Sequence, residues 1–210
     1  MGKIRQGILG GVSGAVGNVV GATWKGINYL RIKADNYTDA KSEKQVLHRA
    51  KFSACVALAK FLLETVIRPI WNKKAIKMTG YNLFVKTNIG AFGETGDISD
   101  FDKLQISVGD LRNPLNLSVT DDENTEGGIS ISWDDNSGEA NALANDKLRV
   151  LAICEGDVVE LNNLNITRDA GTVNVQLPFG AGVEAHVYTF FESVENYIYS
   201  PSIHQIVSVS

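Results

Sequence analysis

A chain of 210 residues, 44% apolar and 21% charged, holds enough apolar material for one medium domain or two small ones, which excludes a wholly disordered protein. Its two cysteines, Cys55 and Cys154, lie far apart in separate apolar runs, which excludes a disulfide-dense scaffold and points to buried free thiols. The net charge of -4 conceals a split: residues 1–90 carry 15 Lys or Arg against 4 Asp or Glu, and residues 91–210 carry 5 against 20. Two halves of opposite sign attract each other, within one chain or head to tail between copies. A basic arm for nucleic acid is the other reading.

The chain opens on a glycine-rich apolar block, Gly2 to Lys33, expected to form an assembly arm over residues 1–35. Seven glycines between Gly7 and Gly26 interleave with Ile8, Leu9, Val12, Val16, Val19, Val20 and Trp24. Such a segment cannot bury its own apolar atoms, so those seven side chains are the expected oligomer interface. A helix here would carry several interior glycines, each costing about 0.8–1 kcal/mol relative to Ala. From Val16 onward β-branched and aromatic residues favour strands, and Lys25-Gly26 has hairpin-turn chemistry. The expectation is a hairpin over residues 15–33 behind an extended glycine-rich lead. Lys3, Arg5, Lys25, Arg31 and Lys33, with Arg49 and Lys51 beyond, form an expected basic face. Lys3 and Arg5 precede an uncharged run, but its glycines, Ser13, Asn18 and Thr23 interrupt it, so neither a secretory leader nor a membrane span is expected.

Residues 36–90 read as a helical hairpin. Val46, Ala50, Ala54, Leu58, Leu62 and Val66 recur every fourth residue and predict a helix from Ser42 to Ile67. Pro69 is expected to end it. A shorter helix over Lys73 to Thr87 follows, weakened by Gly80. Gly90, Gly93 and Gly96 among aspartates read as a linker over residues 91–103. Beyond it seven short runs predict strands: Leu104–Val108, Leu115–Thr120, Gly128–Trp133, Lys147–Cys154, Gly171–Leu177, Val183–Phe191 and Ile203–Val209. Seven such runs separated by turns predict an antiparallel β-sandwich over residues 104–210 and an α+β fold for the whole.

Chemistry is sparse. His48, His186 and His204 are isolated, with no metal-ligand spacing. Phosphate-loop and dinucleotide patterns are missing from the glycine block. Asp121, Asp122, Glu123 and Glu126, and then Asp134, Asp135 and Glu139, fall in turns expected at neighbouring strand ends. Their hard oxygens suit Ca2+, but without EF-hand spacing they read better as a solvated acidic face, complementary to the basic one. Trp24 and Tyr29 could stack on bases, yet the cations are scattered, so nucleic acid is not an expected partner. No catalytic residue and no cofactor are expected, and an enzyme ranks last.

Two resemblances add to this. Trp133, the run Lys147–Cys154 and the His186-Val187-Tyr188-Thr189-Phe190 strand give residues 127–210 a spacing that resembles a fibronectin type III or immunoglobulin-like domain, implying Trp133 and Tyr188 as core aromatics. The block GKIRQGILGGVSGAVGNVVGATWKG, with Gln45, Arg49, Lys51 and Phe52 after it, is similar to an uncharacterised family common in Bacteroidota genomes, some of whose members are associated with prophages. That resemblance spans about the first 60 residues and implies no site residues. The expectation is a non-enzymatic, repeated structural subunit, a homo-oligomer in a bacteriophage virion as connector, tail or surface element. One alternative is a monomeric glycan- or receptor-binding sandwich, on the cell surface or in the cytoplasm, using Phe179, Tyr197 and Tyr199. Another is a nucleic-acid-binding assembly factor.

Overall fold

β-Branched residues and a glycine-bearing turn give the first part of the chain its form. The computed structural model describes residues 2–3, 13–34, 39, 41–161, 164–180 and 182–210. It divides into two units, Met1–Val46 and Leu47–Ser210. In the first, β1 (Gly2–Lys3), β2 (Gly14–Val16), β3 (Val19–Trp24) and β4 (Ile27–Ile32) form one antiparallel sheet in the order β1-β4-β3-β2. The β3–β4 hairpin turns on Lys25-Gly26, both at positive φ, +47° and +77°, as a twist-matched two-residue loop requires. Among the described residues of this unit, Gly21 alone is buried.

The second unit begins with the rest of α1 (Glu43–Phe61), whose Cys55, Leu58 and Ala59 are buried. Pro69 does not end the helical run, contrary to expectation. Leu63–Trp71 winds on as a π-helix, then α2 (Asn72–Lys74) follows. In an α-helix the Pro69 ring would meet the carbonyl of Thr65. The wider winding relieves that clash: Ile67 N–H donates to Leu62 O, five residues back, at 2.9 Å. Burial of Val66, Ile67, Ile70 and Trp71 holds the wide turn in place. α3 (Gly80–Asn88) starts later than its sequence pattern predicts. Gly80 is its first residue, not an interior weakness. A Cβ there would lie 2.5 Å from the backbone nitrogen of Asn72, so only glycine permits this approach.

The segment 91–103 is not a loose linker. Ala91 and Phe92 are buried, Phe92 bridges Ile98, and Ile98 and Phe101 pack on the core under the helices. Leu104–Val108 is not a strand: it bends at Ile106 and, among the described residues, joins no sheet. It is held by its sides: Trp71 Nε1 donates to Ile106 O at 2.9 Å, and Asn88 exchanges hydrogen bonds with the backbone of Gln105 at 2.7 and 3.0 Å.

The remaining runs are strands: β5 (Leu115–Asp121), β6 (Gly128–Asp134), β7 (Lys147–Cys154), β9 (Thr172–Gln176), β10 (Val183–Ser193) and β12 (Ile203–Val209). The structure adds β8 (Asp157–Leu161) and the short β11 (Ile198–Tyr199). One sheet is ordered β5-β6-β9. The other is ordered β11-β10-β7-β8, with β12 also on β10. Alternate residues of β7 and β10 serve two cores. Leu148, Val150, Ala152, Val187 and Phe191 face the three-stranded sheet, while Leu151, Ile153, Tyr188 and Phe190 join the core under the helices. The larger sheet is therefore the middle of three layers, which explains why β7 and β10 read as near-continuous apolar runs. The fold is α+β with a C-terminal antiparallel β-sandwich. Trp133 lies between the sheets as the sequence implies, whereas Tyr188 points to the helical side.

A candidate binding groove

Spacing along α1 builds one wall of a groove. Ala54, Ala57, Leu58 and Phe61 share a helix face, as residues three and four apart must. Phe92, Asp97, Ile98 and Phe101 from segment 91–103 form a second side, with Ile153, Glu155, Asp157, Val158, Glu184 and His186 from β7, β8 and β10 opposite. The groove encloses about 670 Å³. Its floor is apolar. Asp97, Glu155, Asp157 and Glu184 stand exposed on its rim, and among the described residues no Lys or Arg lines it.

His186 closes one end. Pairing of Tyr188 with His204 across β10 and β12 sets the register that brings the two histidines together. His204 Nδ1 lies 2.6 Å from Asp102 Oδ1, and His204 Nε2 lies 3.0 Å from His186 Nδ1. In the neutral pair, donation from His204 to Asp102 makes His204 Nε2 the acceptor, so His186 donates from Nδ1. Its Nε2 lone pair is left 3.6 Å from Glu184 Oε1. That end of the groove therefore holds two acceptors side by side. Phe101 stacks on His186 with ring centroids 3.3 Å apart and fixes the ring plane. Tyr188 OH donates to Phe101 O at 2.8 Å and anchors that segment in turn. Burial, then the neighbouring His204, push the His186 pKa down, against the opposing pull of Glu184 and Asp102. An apolar floor with a carboxylate rim and an acceptor pair is complementary in chemistry to a segment that is both apolar and cationic.

Among the described residues, none of the interface, basic-face or acidic-face positions expected from the sequence lines the groove. Ile8, Leu9, Val12 and Arg5 fall outside the described residues, and for Lys3 only the backbone is described. Val16, Val19 and Ile32 are direct cross-strand partners on β2, β3 and β4, so their side chains share one face of the arm sheet. They are 73%, 38% and 79% exposed. Trp24 is exposed too, while Val20 is half-buried. Lys25, Arg31 and Lys33 are exposed in the same unit, and Arg49 and Lys51 stand on α1.

The two acidic groups do not meet. Asp121 ends β5 and Asp122, Glu123 and Glu126 lie in the turn that joins it to β6, whereas Asp134 is the last residue of β6 and Asp135 and Glu139 lie beyond it. Several serve their own surroundings: Asp121 accepts from Ser210 N, Asp122 from Asn124 N, Asp134 from Asn116 Nδ2 and Asp135 from Ser137 N. Among the described residues no group of three or more His, Cys, Asp or Glu is placed to hold a metal ion. Of the aromatics offered for glycan binding, Tyr199 is buried and bonded to Glu192, and Phe179 is half-buried on the sandwich core, which leaves Tyr197 exposed. Among the described residues no helix is long and apolar enough to cross a membrane.

No curated protein matches the chain. Among solved structures it is similar to the fn3 domain of the human collagen alpha-1(XX) chain, at 10% identity and a TM-score of 0.34, covering 47% of this chain and 85% of that one. The sandwich itself rests on the strand pairing above. A model of a family of unknown function matches residues 11–203, nearly the whole chain. This protein belongs to that family, DUF6266.

Proposed function

We propose that the protein is a non-enzymatic structural subunit that assembles with further copies through its N-terminal arm, in the setting of a bacteriophage particle as connector, tail or surface element. The observation that carries this is the Val16–Val19–Ile32 ladder, an apolar row left exposed on a sheet whose described residues bury only Gly21. Among the described residues, both apolar cores of the second unit draw on residues from Ala54 onward. The phage setting rests on the likeness of the glycine block and of Gln45, Arg49, Lys51 and Phe52 to a prophage-associated family. Light scattering on the full chain and on one beginning at Asp39 tests the reading. Defined oligomers of the full chain, lost both by the truncation and by Ile32→Asp, support it. A full chain that stays monomeric at high concentration, or Ile32→Asp oligomers as stable as the original, overturns it.

A further inference from the structure

We infer that the groove between α1, segment 91–103 and the β7–β8 turn is the receptor for the arm of a second copy. This rests on the assembly reading above and names its missing half. The two surfaces match in chemistry. Residues 1–34 carry five Lys or Arg and no Asp or Glu, while among the described residues the groove is lined by four carboxylates and no Lys or Arg. The arm offers three adjacent apolar side chains, Val16, Val19 and Ile32, on one face of its sheet, and Arg31, the cross-strand partner of Val20, on the other, so a groove that takes the arm between its walls meets both. The groove offers Leu58, Phe61, Phe101 and Val158 as apolar floor, with Asp157 and Glu184 above it. Phe61 is 54% exposed, so the floor has apolar surface still to bury.

The histidine array sharpens the fit. In the neutral tautomer described above, His186 Nε2 and Glu184 Oε1, 3.6 Å apart, form a pair of acceptors, which suits a guanidinium or an ammonium group. Both surfaces also carry strand edges: among the described residues β8 pairs only with β7, and β2 only with β3. Arm-to-groove contact is head to tail, so it closes a ring or extends a filament according to the rotation between copies.

Charge exchange tests this with full-length chains. The groove variant carries Asp157→Lys with Glu184→Lys, and the arm variant carries Arg31→Glu with Lys33→Glu. Mass is followed by light scattering at low salt. Each variant alone is expected to associate at least about tenfold more weakly than the original, a change of about 1.4 kcal/mol or more. An equimolar mixture is expected to regain assembly, because the exchanged positions of the arm variant then meet exchanged positions of opposite charge on the groove variant, while the unchanged arm meets the unchanged groove. Regain also shows that both variants are folded. A groove variant that assembles like the original overturns the groove assignment while leaving arm-driven assembly standing. Two weakened variants that stay apart on mixing also overturn it. A monomeric original chain overturns both.

Discussion

Replacing Arg168 tests the account of what holds the sandwich together. Its guanidinium is fully buried, with Nε 3.1 Å from Asp146 Oδ2, one Nη 2.7 Å from Asn136 Oδ1 and the other 3.0 Å from Arg112 O. The charge also sits 4.1 Å from the Phe191 ring centroid, and Trp133 Nε1 donates to the Arg168 carbonyl at 2.7 Å. Burial pushes the Arg168 pKa down and the Asp146 carboxylate opposes that shift. Arg168→Leu leaves Asp146 buried with one donor, Leu143 N at 2.9 Å, and strips the donors from Asn136 and from the Arg112 carbonyl. Breaking a buried pair on one side costs about 3–5 kcal/mol. At about 2–4 °C per kcal/mol for a protein of this size, the melting temperature falls by roughly 10 °C. Urea unfolding followed by tryptophan fluorescence gives the free energy, since Trp71 and Trp133 are both buried. Asp146→Leu is expected to cost a similar amount, and the double variant less than the sum, because removing both charges leaves neither unpaired. A loss under about 1 kcal/mol for Arg168→Leu would refute the reasoning.

Both cysteines are expected to ignore a thiol reagent in the folded protein and to react fully in urea, because burial pushes the Cys55 thiol up to about 11 and, with Glu155 and Asp157, raises that of Cys154. Fast labelling of either in the native protein contradicts that placement. Gly109→Ala should destabilise by more than about 1 kcal/mol, since the new Cβ would lie 1.8 Å from the Tyr199 carbonyl oxygen, which is backbone and cannot swing aside. Gly90→Ala, facing open space, should change the same urea midpoint by no more than about 0.5 kcal/mol. The lowered pKa of His186 means that the unfolded chain takes up its proton first as pH falls. The stability it contributes is therefore complete above about pH 6.5 and shrinks as pH drops below that value toward the folded pKa. Glu184, Asp102 and His204 all face this array, so the readout is the difference in urea midpoint between the original chain and His186→Asn across pH 5 to 8. A difference that does not change with pH refutes the assignment.

What was legible in the sequence follows from which interactions are local. Ile129, Ile131 and Trp133 alternate with Ser130 and Ser132 because β6 buries one face, so periodicity alone finds the strand. Lys25-Gly26 marks its hairpin because few residue pairs tolerate two positive φ values in succession. Pro69 misleads because its effect on a helix depends on the winding. Tertiary burial of Ile67, Ile70 and Trp71 selects the wide turn that accommodates it. The glycines of segment 91–103 read as freedom, but Phe92, Ile98 and Phe101 between and after them are what the fold uses.

The groove was illegible for a different reason. Its four rim carboxylates come from residues 97, 155, 157 and 184, and no window of the sequence contains more than two of them. The pairing of His186 with His204 depends on the β10–β12 register, which is fixed by buried partners such as Ala185 opposite Val207 and not by either histidine. Charge balance was the one sequence signal that reached this far. The excess of Asp and Glu beyond residue 90 pointed to an acidic surface in the second half, but it could not choose among clusters. It favoured the dense runs at 121–126 and 134–139, where much of the carboxylate chemistry is spent on the turns themselves. A sparse cluster over an apolar floor is the better receptor. Its charges lie around hydrophobic surface that is still exposed, so one partner can satisfy both at once.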